Sequence, residues 1–371
     1  MKTLIIQIAV KCLQFFNLLF KPLKLKDRVV IISRQADEPT LDIQLLKACL
    51  DEIKIENTVL TKTLTKSFRG AVSYGLQMIA QMYHLATSKV VILDGYCILA
   101  SVLPKKEGQK IVQIWHALGA IKKFGWQSVD NPDGHSNEVA EIMQMHKNYD
   151  YVLAPGQVTG AFFAEAFRTQ QDRLVCLGLP RIDFLRENNP KTNAEIERDY
   201  PVVNMKTNVL YVPTFRKNAA LELESLIAGF DFTNLNLIIK KHFLDKGDYT
   251  WAEQAGAIVD TKYSSMEWLR RCEKVITDYS AIAFEAAILH RDLYIYQPDA
   301  SKYAHKVGLN VDLRTEAIGE YVCFTEEELF QKLKQPYDKE KVTAFCQKYI
   351  EFDLDECTQN LCAFISRLLA E

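Results

Sequence analysis

The chain of 371 residues has no Cys-x-x-Cys pair, although it carries nine cysteines. An odd number of scattered thiols suits a reducing compartment and argues against both a disulfide framework and structural zinc. A surplus of positive charge is missing too, since 45 Lys and Arg stand against 47 Asp and Glu, a formal charge of −2. General nucleic-acid binding, which rests on many phosphate contacts, is thereby excluded, whereas a local basic cluster is not. There is no internal repeat or low-complexity tract, and the one Asp-x-Asp, Asp353-Leu-Asp355, lies near the C-terminus, where it reads as helix-start chemistry. Neither a metal nor an organic cofactor is called for. What is present, 48% hydrophobic and 25% charged residues, is ordinary globular composition in a length that suits two domains.

A membrane span and a signal peptide are also absent on this reading, although Met1 to Phe20 resembles both at first sight. Gln7, Lys11, Gln14 and Asn17 recur every three or four residues, on one face of a helix, with Leu4, Ile5, Ile8, Phe15, Leu19 and Phe20 around the rest. Lys11 at the bilayer centre would cost roughly 2.5–3.5 kcal/mol, and no small-x-small cleavage site follows. Lys21, Lys24 and Lys26 then suit a segment lying flat on the anionic cytoplasmic face of the membrane, as a peripheral anchor. The plainer alternative is a helix packed on its own domain.

From Asp27 the chain alternates short β-branched runs with helical patterns, the mark of parallel sheets wrapped by helices. Strands are expected at 29–33, 57–61, 89–94, 110–116, 150–155 and 173–178. A stretch rich in Asn, Arg, Lys and Glu, 187–204, marks the domain junction. A second series follows at 208–213, 235–240, 257–260, 274–278 and 293–296, with capping boxes at Ser264/Glu267 and Thr325/Glu328. The expected organisation is an amphipathic membrane-associating helix (1–26), an N-terminal Rossmann-like domain (27–204) and a C-terminal Rossmann-like domain with closing helices (205–371). The fold class is α/β, two Rossmann-like domains facing a cleft in the manner of glycosyltransferase type B.

Ligands of open α/β sheets bind at the carboxyl ends of the strands, and four constellations fall there. Trp115-His116 is followed by Lys122 and Lys123, with Gly119 and Gly125 suiting a loop that approaches a phosphate. A histidine at its ordinary pKa can accept a hydroxyl proton, and a satisfied core histidine is the alternative. Thr214 and Arg216 follow Pro213, the arginine matching phosphate geometry or serving a surface ion pair. Lys240, Lys241 and His242 could neutralise a diphosphate or simply face solvent. Thr277-Asp278-Tyr279-Ser280 precedes a helix that runs through Glu285, where Ser280 offers a helix N-terminus to an anion and capping by Asp278 or Ser280 explains the same residues. Arg181 and Asp183, after Gly178, pair with each other, cap the next helix or join the site.

Together, Ser88 to Asp94, Gln113-Ile-Trp-His116 with Lys122-Lys123, Gly178-Leu-Pro-Arg-Ile-Asp183, Pro213-Thr-Phe-Arg216 and Thr277-Asp-Tyr-Ser280 resemble the CDP-glycerol glycerophosphotransferase family of teichoic-acid primases and polymerases, from about Leu85 to Leu333. The chain departs from that pattern at Ala117-Leu118, where the family has Gly-Thr, at Ala281, where it has Ser, and at Phe243, where it has Pro. The resemblance implies transfer of an alditol phosphate from a CDP-alditol donor to a hydroxyl of a polyprenyl-linked saccharide or growing polymer, with release of CMP. It implies His116 as general base, His242, Arg216 and Ser280 on the donor diphosphate, Glu285 on the cytidine ribose, and attachment to the cytoplasmic membrane surface. A sugar-nucleotide glycosyltransferase and a non-catalytic membrane scaffold are the rival readings. Glycerol or ribitol, and a homo-oligomer or a monomer, stay open at this level.

Overall fold

The computed structural model describes residues 2–64, 67–132, 134–187, 190–214, 223–241, 245 and 247–371. The chain divides into two compact units, the first comprising 1–183, 306–308 and 351–371, the second 184–305 and 309–350. The first holds one parallel sheet, made of β1 (Lys26–Ser33), β2 (Asn57–Thr61), β3 (Ser88–Leu93), β4 (Lys110–Gln113), β5 (Tyr151–Ala154) and β6 (Leu174–Cys176), in the order β2-β1-β3-β4-β5-β6. Val29 to Ile32 and Val90 to Leu93 are buried on both faces, which is why these strands read as continuous apolar runs rather than alternating ones.

The second unit repeats the plan with β7 (Thr207–Val212), β8 (Leu235–Ile239), β9 (Ile258–Val259), β10 (Lys274–Thr277), β11 (Asp292–Tyr296) and β12 (Val322–Cys323), in the order β12-β11-β10-β7-β8-β9. All its strand pairings are parallel too. The capping box before helix Ser265–Arg271 forms in both directions, Glu267 N donating to Ser264 Oγ and Ser264 N to the Glu267 carboxylate. At Thr325 only half the expected box forms, because the Glu328 carboxylate accepts from Phe324 N, one residue earlier.

The units differ in three ways from the division expected from composition. Segment 190–204 lies with the second unit, since Asn208 Nδ2 and Asn236 Nδ2 donate to the carbonyls of Val203 and Val202, and Tyr200 donates to Asp260. Its polar composition reflects a surface helix, Pro190–Asp199, rather than a linker. The closing helix Cys357–Ala370 returns to the first unit, against helix Leu41–Glu52 and β3, and Lys89 donates to the Leu369 carbonyl at 2.6 Å. The N-terminal helix, Lys2–Asn17, is also part of the first unit and buries Val10 in its core. Only a narrow face packs, leaving Leu4, Ile5, Ile8, Phe15 and Phe16 exposed, and Leu19, in the turn just beyond the helix, is 73% exposed. Among the described residues no helix is long and apolar enough to cross a membrane.

Candidate functional site

In a parallel sheet ordered β2-β1-β3-β4, the order in which strands are added reverses between β1 and β3, and ligands of such sheets bind in the crevice outside the carboxyl ends of those strands. Ser33 ends β1, Asp94 follows β3, and Ser33 Oγ donates to Asp94 Oδ2 across that point at 2.7 Å. His116 comes to the same place from the end of β4. Its strand stops at Gln113, three residues sooner than expected, and the backbone turns at Trp115, which holds φ = +57°. A bulky residue in the left-handed region is strained, and such strain gathers at functional sites. Trp115 is held there by its N–H to Gln113 Oε1 (2.9 Å) and by stacking on Phe124, with ring centroids 4.8 Å apart.

The imidazole is oriented by its surroundings. Nδ1 lies 2.9 Å from the Asp94 carbonyl and 3.0 Å from the Gln35 amide. A carbonyl can only accept, so Nδ1 carries the proton and Nε2 keeps its lone pair; the Gln35 amide, placed with its nitrogen towards the ring, is assigned with its oxygen and nitrogen exchanged. Burial lowers the His116 pKa to about 4; the hydrogen bond to Asp94 opposes this, and the charges of Arg181 and Lys122 reinforce it. The ring is therefore neutral at pH 7. Burial also lifts Asp94 to about 6, against the pull of the Ser33 hydroxyl. Its other oxygen, Oδ1, has no hydrogen-bond partner among the described residues, and the residue is 3% exposed.

Arg181 and Asp183 do not pair with each other. Arg181 grips Asp42 through its backbone N–H (2.8 Å), Nε (2.8 Å) and Nη2, and Nη2 also donates to the His116 carbonyl at 3.1 Å. It thus fixes the His116 backbone while its charge reaches the ring. Asp183 caps the closing helix, accepting from Cys357 N, Thr358 N and Thr358 Oγ1. Trp115 belongs to an aromatic cluster with Phe124, Phe167 and His146. Lys123 is exposed, its backbone N–H donating to Gly308 O. Gly125, expected at a phosphate, instead lets the loop touch the helix Gln157–Phe167: a Cβ there would stand 2.3 Å from the Ala166 carbonyl, and φ is +54°.

The second unit has its own switch point between β7 and β10. Asp278 accepts from Thr214 N (2.9 and 3.1 Å), Thr214 Oγ1 (2.6 Å) and Tyr279 N (2.6 Å), tying the two strand ends together. Thr277 Oγ1 donates to the Val212 carbonyl at 2.7 Å. Both side chains are therefore occupied within the sheet edge, and an anion would meet the donors around them rather than Asp278 itself. Ser280 is half-buried, its Oγ 3.5 Å from Ile282 N, and Glu285 is buried in helix Ile282–Ile288. Lys241 donates to Gly247 O at 3.1 Å and lies over the Tyr249 ring. Lys240 is not available to a phosphate: it is buried against Asp260, whose carboxylate also accepts from Trp268 Nε1. Arg216 and His242 lie outside the described residues. Among the described residues no group of three or more His, Cys, Asp or Glu could hold a metal ion.

Ser33, Gln35, Asp42 and Asp94 were not singled out from the sequence. The one signal was a strong strand, 89–94, that ends in an acidic residue before Gly95.

Two parallel sheets, each with polar side chains gathered at its switch point, define a two-unit α/β protein built to bind ligands at strand ends. The model of the family CDP-Glycerol:Poly(glycerophosphate) glycerophosphotransferase matches residues 14–367, and the chain belongs to that family. By membership it is a CDP-alditol phosphotransferase. It is 28% identical over 357 residues to the teichoic acid ribitol-phosphate primase of Bacillus spizizenii, covering 92% of each chain. It is also 28% identical over 340 residues to the teichoic acid glycerol-phosphate primase of Bacillus subtilis, covering 86% of each. In fold it is similar to the wall teichoic acid polymerase TagF, with a TM-score of 0.72 and 19% identity over 93% of this chain and 90% of that one. A UDP complex of Staphylococcus aureus MnaA shares the fold more distantly, with a TM-score of 0.58 and 13% identity over 93% of this chain and 98% of that one.

Proposed function

We propose that the protein transfers an alditol phosphate from CDP-glycerol or CDP-ribitol to a hydroxyl of a polyprenyl-linked saccharide or growing teichoic-acid polymer, releasing CMP. The observation that carries this is the fixed, neutral imidazole of His116, its Nδ1–H held by the Asp94 carbonyl and its Nε2 lone pair left for a proton. The acceptor oxygen forms a bond to the alditol-bearing phosphorus as the bridging oxygen leaves with CMP, and the hydroxyl proton passes to His116 Nε2. Such transfer depends mainly on positioning and charge neutralisation. Lys122 and Lys123 supply positive charge beside that base. In the second unit Ser280, Lys241, Arg216 and His242 neutralise the diphosphate, and Glu285 holds the cytidine ribose. Thr277 and Asp278 contribute by fixing Thr214 and the strand ends. Trp115, Arg181 and Asp183 position the first unit's groups without touching substrate.

The enzyme works as a peripheral protein on the cytoplasmic face of the membrane. The seven exposed apolar side chains from Leu4 to Leu19, followed by Lys21, Lys24 and Lys26, support this reading.

His116→Ala is expected to lower CMP release by 10²- to 10⁴-fold, the usual contribution of a general base, while CDP-glycerol binding stays within twofold. Unchanged turnover in that variant would sink the assignment. Release of UDP from UDP-sugars, with no CMP from either CDP-alditol, would favour a glycosyltransferase instead.

A further inference from the structure

Away from the switch points, the first unit contains a cavity of about 760 Å³ between the end of the N-terminal helix and the segment 99–111. Its floor is apolar and buried, formed by Leu85, Leu99, Leu103 and Ile111. Its rim is exposed and basic: Leu18, Lys21, Lys24 and Lys105 stand at solvent, with Glu107 as the one rim carboxylate. The polar group on the floor is already satisfied, since the Gln109 amide donates to the carbonyls of Leu85 (2.6 Å) and Ser88 (2.8 Å). Nothing polar at the bottom of the cavity asks for water, so its interior suits hydrocarbon.

The rim cations are unequal. Lys105 is committed to Asp150. Lys106, half-buried at the same rim, donates to the backbone carbonyls of Leu23 and Lys21 and has no carboxylate partner among the described residues. Burial accordingly lowers its pKa. A partly buried ammonium held only by neutral oxygens is a charge waiting for an anion. With Lys21 and Lys24 it gives three lysines that have no carboxylate partner among the described residues, against Glu107, above an apolar chamber of the size that holds a small molecule.

We propose that this cavity binds one anionic membrane phospholipid, an acyl chain lying against Phe20, Leu23, Leu85 and Leu103 and the phosphate among Lys21, Lys24 and Lys106. A bilayer is the source that fits, because Leu18 at the rim is continuous with the exposed apolar residues Phe15 and Leu19 of the N-terminal segment. A bound lipid anchors that segment from within, beyond the contact its outer face makes. The inference does not depend on the transfer chemistry, and its test contains no nucleotide.

The test is calorimetric titration of the full chain with dihexanoyl-phosphatidylglycerol below its micellar concentration, beside dihexanoyl-phosphatidylcholine, inorganic phosphate and geranyl phosphate. Saturable binding of one phosphatidylglycerol per chain is expected, at least tenfold tighter than the phosphatidylcholine, with no saturable heat from inorganic phosphate. Lys21→Gln with Lys24→Gln, both exposed and with side chains that form no bond among the described residues, should weaken it tenfold or more, and Ala100→Leu, at a residue lining the cavity, should abolish it. Binding unchanged in the double lysine variant, equal binding of inorganic phosphate, or tighter binding of geranyl phosphate at the same site would each overturn the proposal.

Discussion

The two switch points are built to one plan and surround their aspartates differently. In each unit an aspartate beside the first strand of its sheet reaches across to a hydroxyl residue at that strand's end: Asp94 to Ser33, and Asp278 to Thr214. Among the described residues the Asp278 carboxylate takes four hydrogen-bond contacts, two of them from one backbone N–H, and becomes a structural knot. Asp94 takes one, keeps Oδ1 without a partner, and is lifted to about 6. Hydrogen bonds from N–H and O–H groups offset the cost of burying a carboxylate, and Asp94 is buried with few of them. The same residue type in the same topological place therefore stabilises the fold in one unit and is held at a disadvantage in the other, next to the proposed base.

That contrast breaks most sharply under a pair of isosteric substitutions. Asp278→Asn removes the charge from a site filled with donors and turns an amide N–H toward one of them. It should cost about 3 kcal/mol or more, read as a lower urea midpoint with an unchanged m-value. Asp94→Asn should do the reverse at pH 7. The shift from 3.8 to about 6 corresponds to about 3 kcal/mol, at 1.36 kcal/mol per unit, and an amide keeps the bond from Ser33 without the buried charge. We expect a gain of about 2 kcal/mol, and a loss would mean that the two aspartates are alike after all. Transfer activity in Asp94→Asn should fall, since the environment of His116 changes while its tautomer, set by the Asp94 backbone carbonyl, does not.

The next effect is a compensation that the wild-type chain conceals. Asp94, with its pKa raised, contributes stability that is complete below about 3.8 and lost as pH rises through about 6. His116, lowered from 6.5 to about 4, contributes stability that is complete above 6.5 and lost as pH falls through about 4. The windows overlap and the shifts are similar in size and opposite in sign, so between pH 4 and 6.5 their sum is nearly flat. Urea melts across that range should show little slope from this pair in the wild type. In Asp94→Asn stability should fall toward acid by about 2 kcal/mol relative to wild type, and in His116→Gln it should fall toward neutral by about as much. Parallel curves for the three proteins would show that the two groups do not titrate as stated.

The architecture was legible because apolar runs and turn residues are local: both series of strands appear within about three residues of their expected ends, and the Ser264/Glu267 box forms where it was expected. The unit boundaries were not, because they depend on where the polar helix Pro190–Asp199 and the closing helix pack, which composition does not record. At the site, Trp115, His116 and Arg181 could be found from their motifs, but their partners could not. Asp42 looks like an ordinary first-turn acid, and Gln35 has no signature; each acquires its role from a contact 139 or 81 residues away. Asp183 and Asp278 drew attention as charged residues near expected ligands, and each accepts from two backbone N–H groups and a threonine hydroxyl. A carboxylate in a motif is as readily a knot as a ligand, and the donor count around it separates the two.

The smallest expected effect tests whether Ser33 is the counterpart of Thr214 or only its likeness. Ser33→Ala removes the hydroxyl that holds Asp94 down, so the Asp94 pKa should rise further above 6, by up to about one unit, or 1.4 kcal/mol. Thr214→Val removes one of several donors to Asp278 and should cost about 1 kcal/mol in stability. The carboxyl resonance of Asp94, followed by NMR against pH in both variants, reads the difference directly. If the Ser33→Ala chain titrates as the wild type does, burial alone sets the state of Asp94. The hydroxyl bridge across β1 and β3 is then architecture, as it is across β7 and β10, and the contrast between the two units reduces to the number of backbone N–H groups that each strand end turns inward.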